Sequence, residues 1–198
     1  MAIALSTLVE EADRFLEAAK IQDYCPNGLQ VEGRPQVRRI VSGVTASQAL
    51  LDAAVEADAD VVLVHHGYFW KGEDARVVGM KQRRLKTLLN HDISLLAYHL
   101  PLDGHLELGN NAQLARVLDW VPEGQTGDQG LLWHGRLTAP MRAAAWGDVL
   151  SERLGRRALL LGDSGQMISR VAWCTGGAQG LFEEALALGV DAFVTGEA

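Results

Sequence analysis

The pattern of apolar and polar residues predicts alternating strands and helices in the first half of the chain. The clearest strand is Val61–Gly67 (VVLVHHG), an unbroken apolar run of the kind found in strands buried on both faces of a parallel sheet. Strand patterns at Arg39–Val44 and Ile93–Tyr98 lie on either side of it, and helical patterns at Ala46–Ala57 and Met80–Asn90 separate the three. This order predicts a mostly parallel sheet flanked by helices, with right-handed crossovers.

The pattern changes after Asp103, where a second, smaller α/β stretch follows. Trp120–Gly130 is rich in turn residues and predicts a loop or a lobe boundary. The predicted strands of this stretch are Leu131–Leu137, Ala158–Gly162, Arg170–Thr175 and Ala192–Thr195. We therefore expect an α/β subunit of two lobes, 1–103 and 104–198, with no internal repeat visible as sequence identity. Because the chain stops directly after a strand, we expect it to be a fragment, truncated at its C-terminal end.

Composition excludes several classes of protein. The 198 residues are 48% hydrophobic and 22% charged, which is ordinary for a globular domain. A net charge of −7 makes a nucleic-acid partner unlikely. There is no signal peptide pattern and no apolar run long enough to span a membrane. Two separate cysteines, Cys25 and Cys174, fit reduced thiols. We expect a cytoplasmic protein.

Candidate chemistry is concentrated at two predicted strand ends. His65 and His66 end the central strand, and Tyr98–Asp103 (YHLPLD) follows the next one. In open α/β sheets, ligands bind beyond the carboxyl ends of the strands. Imidazole and carboxylate together suit Zn, Mn, Fe, Co or Ni, and the two oxygens of Asp103 can bridge two ions. The sequence predicts a metal site, with a dinuclear centre geometrically reasonable, whose ligands are His65, His66 and Asp103.

Other interpretations of these residues stay open. The main alternative is a metal-free pocket in which a histidine acts as general base. His99 can be a ligand, a residue that orients a ligand, or a packing residue, and we favour the orienting role. The other histidines, His91, His105 and His134, are not expected to be ligands. No catalytic residue is assigned beyond these groups.

Two loops complete the set of candidate features. Tyr68–Gly79 is long enough to cover a site, and Tyr68, Phe69 or Trp70 can stack on a base. Thr175–Gly180 (TGGAQG) follows a strand, and we favour a tight structural turn there over an anion cradle.

Six motifs resemble one known family in the same order along the chain. They are NGLQVEG at Asn27–Gly33, VHHGYFWKG at Val64–Gly72, YHLPLDGH at Tyr98–His105, GNNAQLA at Gly109–Ala115, CTGGAQG at Cys174–Gly180 and DAFVTGE at Asp191–Glu197. The chain is similar to the GTP cyclohydrolase I type 2 homologues, also called the NGG-interacting-factor-like proteins. The resemblance implies a toroidal homohexamer of two-lobed subunits. It also implies two divalent metal ions per subunit, with first ligands at His65, His66 and Asp103.

Family members continue past the TGE motif to a further histidine and a glutamate ligand, whereas this chain stops at Ala198. Three ligands then remain for two ions, so we do not expect this chain to fill a two-ion site completely. The family name implies hydrolytic opening of the guanine ring of GTP. We expect a metal-dependent hydrolase-like protein that acts on a nucleotide-like small molecule through metal-activated water. The alternative is a non-enzymatic metal-binding scaffold or metal-delivery protein that acts through partners.

Overall fold

The computed structural model describes residues 2–197, which form two four-stranded sheets flanked by helices and a short two-stranded ladder. The strands are β1 Ile3–Ala4, β2 Gly28–Val31, β3 Gln36–Val37, β4 Ile40–Thr45, β5 Val61–His66, β6 Ser94–Ala97, β7 Trp120–Thr126, β8 Leu132–Arg142, β9 Met167–Cys174 and β10 Ala192–Thr195. The helices are α1 Leu5–Phe15, α2 Gln48–Glu56, α3 Gly79–Asn90, α4 Leu100–Gly104, α5 Asn110–Val117, α6 Ala143–Leu154 and α7 Phe182–Ala187. This mixed α/β architecture confirms the predicted fold class.

The chain divides into two compact units, Met1–Leu102 and Asp103–Ala198. The predicted lobe boundary follows Asp103, which the structure places in the second unit. Within residues 2–197, no helix combines the length and the apolar character needed to cross a lipid bilayer.

The first unit is built on a sheet with the strand order β2-β6-β5-β4. Strands β4, β5 and β6 run parallel, and β2 joins the edge antiparallel to β6. Val62 and Val64 of β5 pack in one apolar cluster with α2 and α3, while Val61 and Leu63 belong to another with α1. Because both faces are covered, β5 has no polar alternation, which explains its continuous apolar pattern.

The second unit is built on a sheet with the order β10-β9-β8-β7. Only β9 and β10 pair in parallel, whereas β7, β8 and β9 pair antiparallel. One face packs a cluster that contains four tryptophans, namely Trp120, Trp133, Trp146 and Trp173. The other face buries Leu132 and Ala172 against Ala185 of α7. The core of this unit is therefore largely aromatic.

Two sequence predictions for the second unit are wrong. Trp120–Gly130 is predicted to be a loop or a lobe boundary, yet its first seven residues form β7 and the two units divide at Leu102 and Asp103. This strand lies at the sheet edge and its pairing is irregular between Pro122 and Gly124, which is where a residue without an N–H is tolerated. Ala158–Gly162 is predicted to be a strand but makes no sheet pairing, and the next strand, β9, pairs directly with β8. Leu159 and Leu161 in this segment are 73% and 77% exposed.

Candidate metal centre

Three histidines come together at the carboxyl ends of β5 and β6. His65 and His66 end β5, and His99 lies two residues after the end of β6. Their ring centroids are 4.4 Å apart for the adjacent pair, and that of His99 lies 5.0 Å from His65 and 5.7 Å from His66. One possible ligand nitrogen from each ring lies within 4.8 Å of the other two. The parallel register of the sheet produces this convergence.

Hydrogen bonds at Nδ1 fix the tautomer of two of these rings. His65 Nδ1–H donates to the carbonyl oxygen of Tyr98 at 3.0 Å, and His99 Nδ1–H donates to the carboxylate of Asp23 at 3.0 Å. A carbonyl and an ionised carboxylate can only accept, so the proton is assigned to Nδ1 in both rings. The lone pair is then on Nε2, the nitrogen that would bind an ion.

His66 is held differently. Its Nδ1 lies 3.2 Å from the hydroxyl of Thr45, at the end of the neighbouring strand β4. A hydroxyl both donates and accepts, so this bond orients the ring and leaves either tautomer available. The three imidazoles fit a divalent transition-metal ion, because neutral imidazole is a preferred donor for Zn, Cu, Fe and Ni.

Asp23 is the main support of His99, and its side chain is only 2% exposed. Its Oδ2 accepts from the backbone N–H of Leu100 and from Asn27 Nδ2, both at 2.9 Å. Burial raises the pKa of Asp23, but hydrogen bonds from His99, Asn27 and Leu100 outweigh that effect, so the pKa lies below its ordinary value. The residue is therefore a buried carboxylate rather than a carboxylic acid. No sequence pattern connects it with His99, which lies 76 residues away.

A second group of possible ligands consists of Asp23, Cys25 and His99. Burial, with a smaller contribution from the charge of Asp23, raises the pKa of the Cys25 thiol to about 12. Metals bind the thiolate, so this thiol is poorly suited. The carboxylate of Asp23 is also occupied by several N–H donors. The three-histidine group is the better candidate.

Aromatic side chains surround the histidines. The Trp70 ring lies edge-on to His99, with centroids 4.9 Å apart, and 6.1 Å from His66. The Tyr24 ring lies 5.7 Å from His99. The backbone N–H of Lys71 donates to the carbonyl oxygen of Tyr24 at 2.6 Å, which joins the two aromatic segments directly.

The three aromatic residues that the sequence suggests for stacking, Tyr68, Phe69 and Trp70, have different environments in the structure. Tyr68 is buried, and its hydroxyl donates to the carbonyl oxygen of Ala46 at 2.8 Å, so it acts as a core residue. Phe69 has a φ of +67°, and the Lys81 ammonium lies 5.3 Å above its ring. Trp70 is the member of this group whose ring contacts the histidines.

Asp103, the predicted carboxylate ligand, lies on α4 and is 8% exposed. Within the second unit, its Oδ1 accepts from Asn110 Nδ2 at 2.6 Å and from the Thr175 hydroxyl at 3.3 Å. The fully buried Asn111 donates to the carbonyl oxygen of Asp103 and accepts from the N–H of Thr175. Its role as a metal ligand stays a prediction, but residues of the GNN and TGG motifs hold its carboxylate in place. No sequence pattern predicts this supporting role for Asn110, Asn111 or Thr175.

The segment Thr175–Gly180 has the geometry of a turn. Gly176 has a φ of +73°, and its carbonyl oxygen accepts from the N–H of Gly196 and from the Thr195 hydroxyl, both at 2.9 Å. The following helix α7 has six residues. The histidines outside the centre, His91, His105 and His134, belong to neither possible ligand group among the described residues.

Comparison with known proteins gives the family. The model of Duf34/NIF3 (NGG1p interacting factor 3) matches residues 3–198. The chain belongs to the Duf34/NIF3 family. This confirms the resemblance found in the sequence motifs.

Duf34/NIF3 relatives match the chain closely. The Pseudomonas aeruginosa protein named GTP cyclohydrolase 1 type 2 homolog is 71% identical over 200 residues, which cover 100% of this chain and 79% of that protein. A solved structure described as protein ybgI of unknown function has a TM-score of 0.95 at 52% identity and covers 99% of this chain and 79% of its own. The crystal structure of a Thermus thermophilus protein, TTHA1606, has a TM-score of 0.86 at 35% identity and covers 99% and 78%. These matches confirm the Duf34/NIF3 fold.

Proposed function

We propose that this Duf34/NIF3 protein is a metal-dependent, hydrolase-like protein that acts on a nucleotide-like small molecule. His65, His66 and His99 would hold a divalent transition-metal ion, with Asp103 as a further ligand taken from the sequence prediction. The observation that carries the proposal is the convergence of three imidazoles within 4.8 Å. The site of two ions implied by the family resemblance remains part of this proposal.

The chain's own residues supply orientation and recognition. Tyr98 and Asp23 keep the protons of His65 and His99 on Nδ1, which leaves Nε2 to donate to an ion. A bound ion would supply Lewis acidity and the activation of a water molecule. Trp70 offers an aromatic face beside the histidines on which a purine-like ring can stack. The name of the P. aeruginosa relative is the reason to start with guanine nucleotides.

The metal part of the proposal is tested with the double variant His65→Ala/His66→Ala. We expect its bound Zn, Mn, Fe, Co or Ni to fall to background in elemental analysis, because two of the three imidazole donors are gone. His91→Ala is the matched control, since His91 is exposed at the end of α3 and outside both ligand groups. Unchanged metal content in the double variant would refute the assignment.

The hydrolase part needs a separate assay. Metal-loaded protein is incubated with GTP and related nucleotides, and products are followed by chromatography. We expect turnover that is lost in His65→Ala/His66→Ala and kept in His91→Ala. Stoichiometric metal with no change in any nucleotide over hours would contradict the enzyme proposal.

A second candidate is a metal-binding scaffold or delivery protein. The observation that favours it is that none of the three histidines is fully buried, which leaves a bound ion open to exchange. Rapid transfer of the metal to a chelator, without nucleotide turnover, would support this candidate. A homohexamer also remains a proposal from the family resemblance, and light scattering should then give six times the mass of one chain.

A further inference from the structure

We infer that Asp23 is a positioning residue of the metal centre, and that it acts through His99. Its carboxylate holds the imidazole in one orientation with the proton on Nδ1, so that Nε2 is the ligand nitrogen. This inference rests on the proposed metal binding by the three histidines.

The bond between the two side chains joins the imidazole Nδ1–H of His99 to the carboxylate of Asp23. Asp23 Oδ1 lies 3.0 Å and Oδ2 3.3 Å from His99 Nδ1, and the two side chains are 2% and 12% exposed. A buried carboxylate that accepts from an imidazole N–H raises the basicity of the other ring nitrogen and fixes the plane of the ring. The same carboxylate–histidine arrangement recurs where histidines bind metals.

The segment that contains Asp23 also fixes the backbone around His99. Asn27 Oδ1 accepts from the N–H of His99 at 2.7 Å, and Asp23 Oδ2 accepts from the N–H of Leu100 at 2.9 Å. Asn27 Nδ2 in turn donates to Asp23 Oδ2 at 2.9 Å. Ring and main chain of His99 are therefore held by one short segment, which sets where the ring lies after β6 ends.

Asp23 itself is poorly placed to be a ligand, because its oxygens are already used as acceptors. Its two oxygens offer about four lone-pair positions. They accept from the N–H of Tyr24, from Asn27 Nδ2, from the N–H of Leu100 and from His99 Nδ1. A carboxylate used in this way orients its neighbours and has little capacity left to bind an ion.

The test is Asp23→Asn, which keeps the shape, removes the charge and replaces one of the two acceptor oxygens with an NH₂ donor. We expect Zn²⁺ or Co²⁺ affinity, measured by chelator competition, to fall about 10- to 100-fold. The matched control is Asp13→Asn. Asp13 accepts from the hydroxyl of Tyr98, the residue before His99, at 2.6 Å. We expect Asp13→Asn to change the metal affinity less than about threefold.

A double-mutant cycle separates positioning from a general structural effect. In a His99→Ala background, Asp23→Asn should cause no further loss of affinity, because the residue through which it acts is absent. An equal loss in both backgrounds would overturn the inference. So would unchanged affinity in the single variant Asp23→Asn.

Nitrogen NMR of the metal-free protein gives an independent readout. We expect His99 to be in the Nδ1–H tautomer in the wild-type protein and to lose that preference in Asp23→Asn. If the wild-type protein binds no ion, the proposed function fails, whereas the tautomer measurement still decides whether Asp23 positions His99. A tautomer that does not respond to Asp23→Asn would overturn the inference.

Discussion

Two segments of the molecule, one in each unit, have the same strand–helix–strand layout. The first is β4–α2–β5, and the second is β9–α7–β10. In the first, Ile40 pairs with Val61, and in the second, Val171 pairs with Ala192, so the parallel strands have the same register offset. This similarity is not visible as sequence identity, because few side chains are shared.

In both segments one aspartate makes the same set of hydrogen bonds to the neighbouring strand. We term this set the aspartate clamp (Asp60 and Asp191). Asp60 Oδ2 accepts from the N–H groups of Arg38 and Arg39, and its own N–H donates to the carbonyl oxygen of Arg39. Asp191 repeats this with Ser169 and Arg170 at the same separation of 21 residues. The clamp satisfies backbone donors near the start of the neighbouring strand.

The segments differ in what surrounds this common frame. Strand β4 is an edge strand and mostly exposed, whereas β9 is an interior strand of its sheet and is buried over its second half. At the positions that follow each clamp by the same spacing, the first segment has His65 and His66, and the second has Gly196 and Glu197. One backbone design thus carries a candidate metal centre in one unit and a different residue pair in the other, which shows that chemistry is decided by a few residues at strand ends.

The largest expected effect is found by comparing substitutions at Trp173 of β9 and Ser42 of β4. Trp173 is 0% exposed in the aromatic core, whereas Ser42, at the same register position, is exposed. Trp173→Ala should lower the free energy of unfolding by about 3–5 kcal/mol. Ser42→Ala should change it by about 0.5 kcal/mol or less. Urea denaturation followed by circular dichroism measures both, and equal losses would contradict the difference between the two strands.

The next largest effect is the loss of stability when the charge of either aspartate clamp is removed. Asp60 is 3% exposed and also binds the Arg34 guanidinium at 3.0 Å, whereas Asp191 is half-buried. Removing the charge with Asp60→Asn should cost about 1–3 kcal/mol at neutral pH, because the negative charge opposite Arg34 is lost and one of the two acceptor oxygens becomes an NH₂ donor. Asp191→Asn should cost less. Thermal unfolding of the two variants side by side tests the order.

The Asp60 clamp also predicts a pH dependence. Burial raises the pKa of Asp60, but hydrogen bonds from Arg38 and Arg39 and the charge of Arg34 outweigh it, so the pKa is below its ordinary value. The stabilisation is therefore complete above the unfolded-state pKa of about 3.9 and is lost as the pH falls through the lower folded-state value. Stability of Asp60→Asn should fall less steeply in this acidic range than that of the wild type. An equally steep loss of stability in both proteins as the pH falls would contradict the role given to Asp60.

A smaller effect is expected at Gly67, directly after the histidine pair. A Cβ there would lie 2.2 Å from Gln30 Oε1 and 2.6 Å from the Cβ of Ala97, whereas a Cβ at Gly196 would lie 3.0 Å from its nearest atoms. Gly67→Ala should cost about 1–2 kcal/mol through overpacking. It should also weaken metal binding, because Gln30 holds the N–H of Tyr68 at 2.7 Å. Gly196→Ala is the comparison, and a larger cost there would reverse the expected order.

The smallest effect is spectroscopic. Trp70 is the single tryptophan of the first unit, and its ring lies beside His99. Binding of Co²⁺ or Cu²⁺ at the histidines should quench its emission, a minor part of the total because the other tryptophans belong to the second unit. Trp70→Phe should abolish the change without lowering the metal affinity more than about twofold. Quenching that persists in this variant would place the ion elsewhere.

Much of the first unit could be predicted from sequence, because its central strands are buried on both faces and so have an unambiguous pattern. The position of His65 and His66 at the end of a strand is predictable for the same reason, since they follow directly on an apolar run. The support from Asp23 could not be predicted, because a contact over 76 residues leaves no local periodicity. Edge strand β7 was missed because its polar residues and Pro122 are tolerated only where one side of a strand is unpaired.

The hydrogen bond between Lys71 and Tyr24 has a kinetic consequence. Tyr24 and Trp70 stand on backbone segments that this bond joins at 2.6 Å, so a movement of one segment is transmitted to the other. We expect the backbone amides of the two segments to show one common rate in NMR relaxation dispersion, so that access to the histidines would change through one concerted motion of both segments.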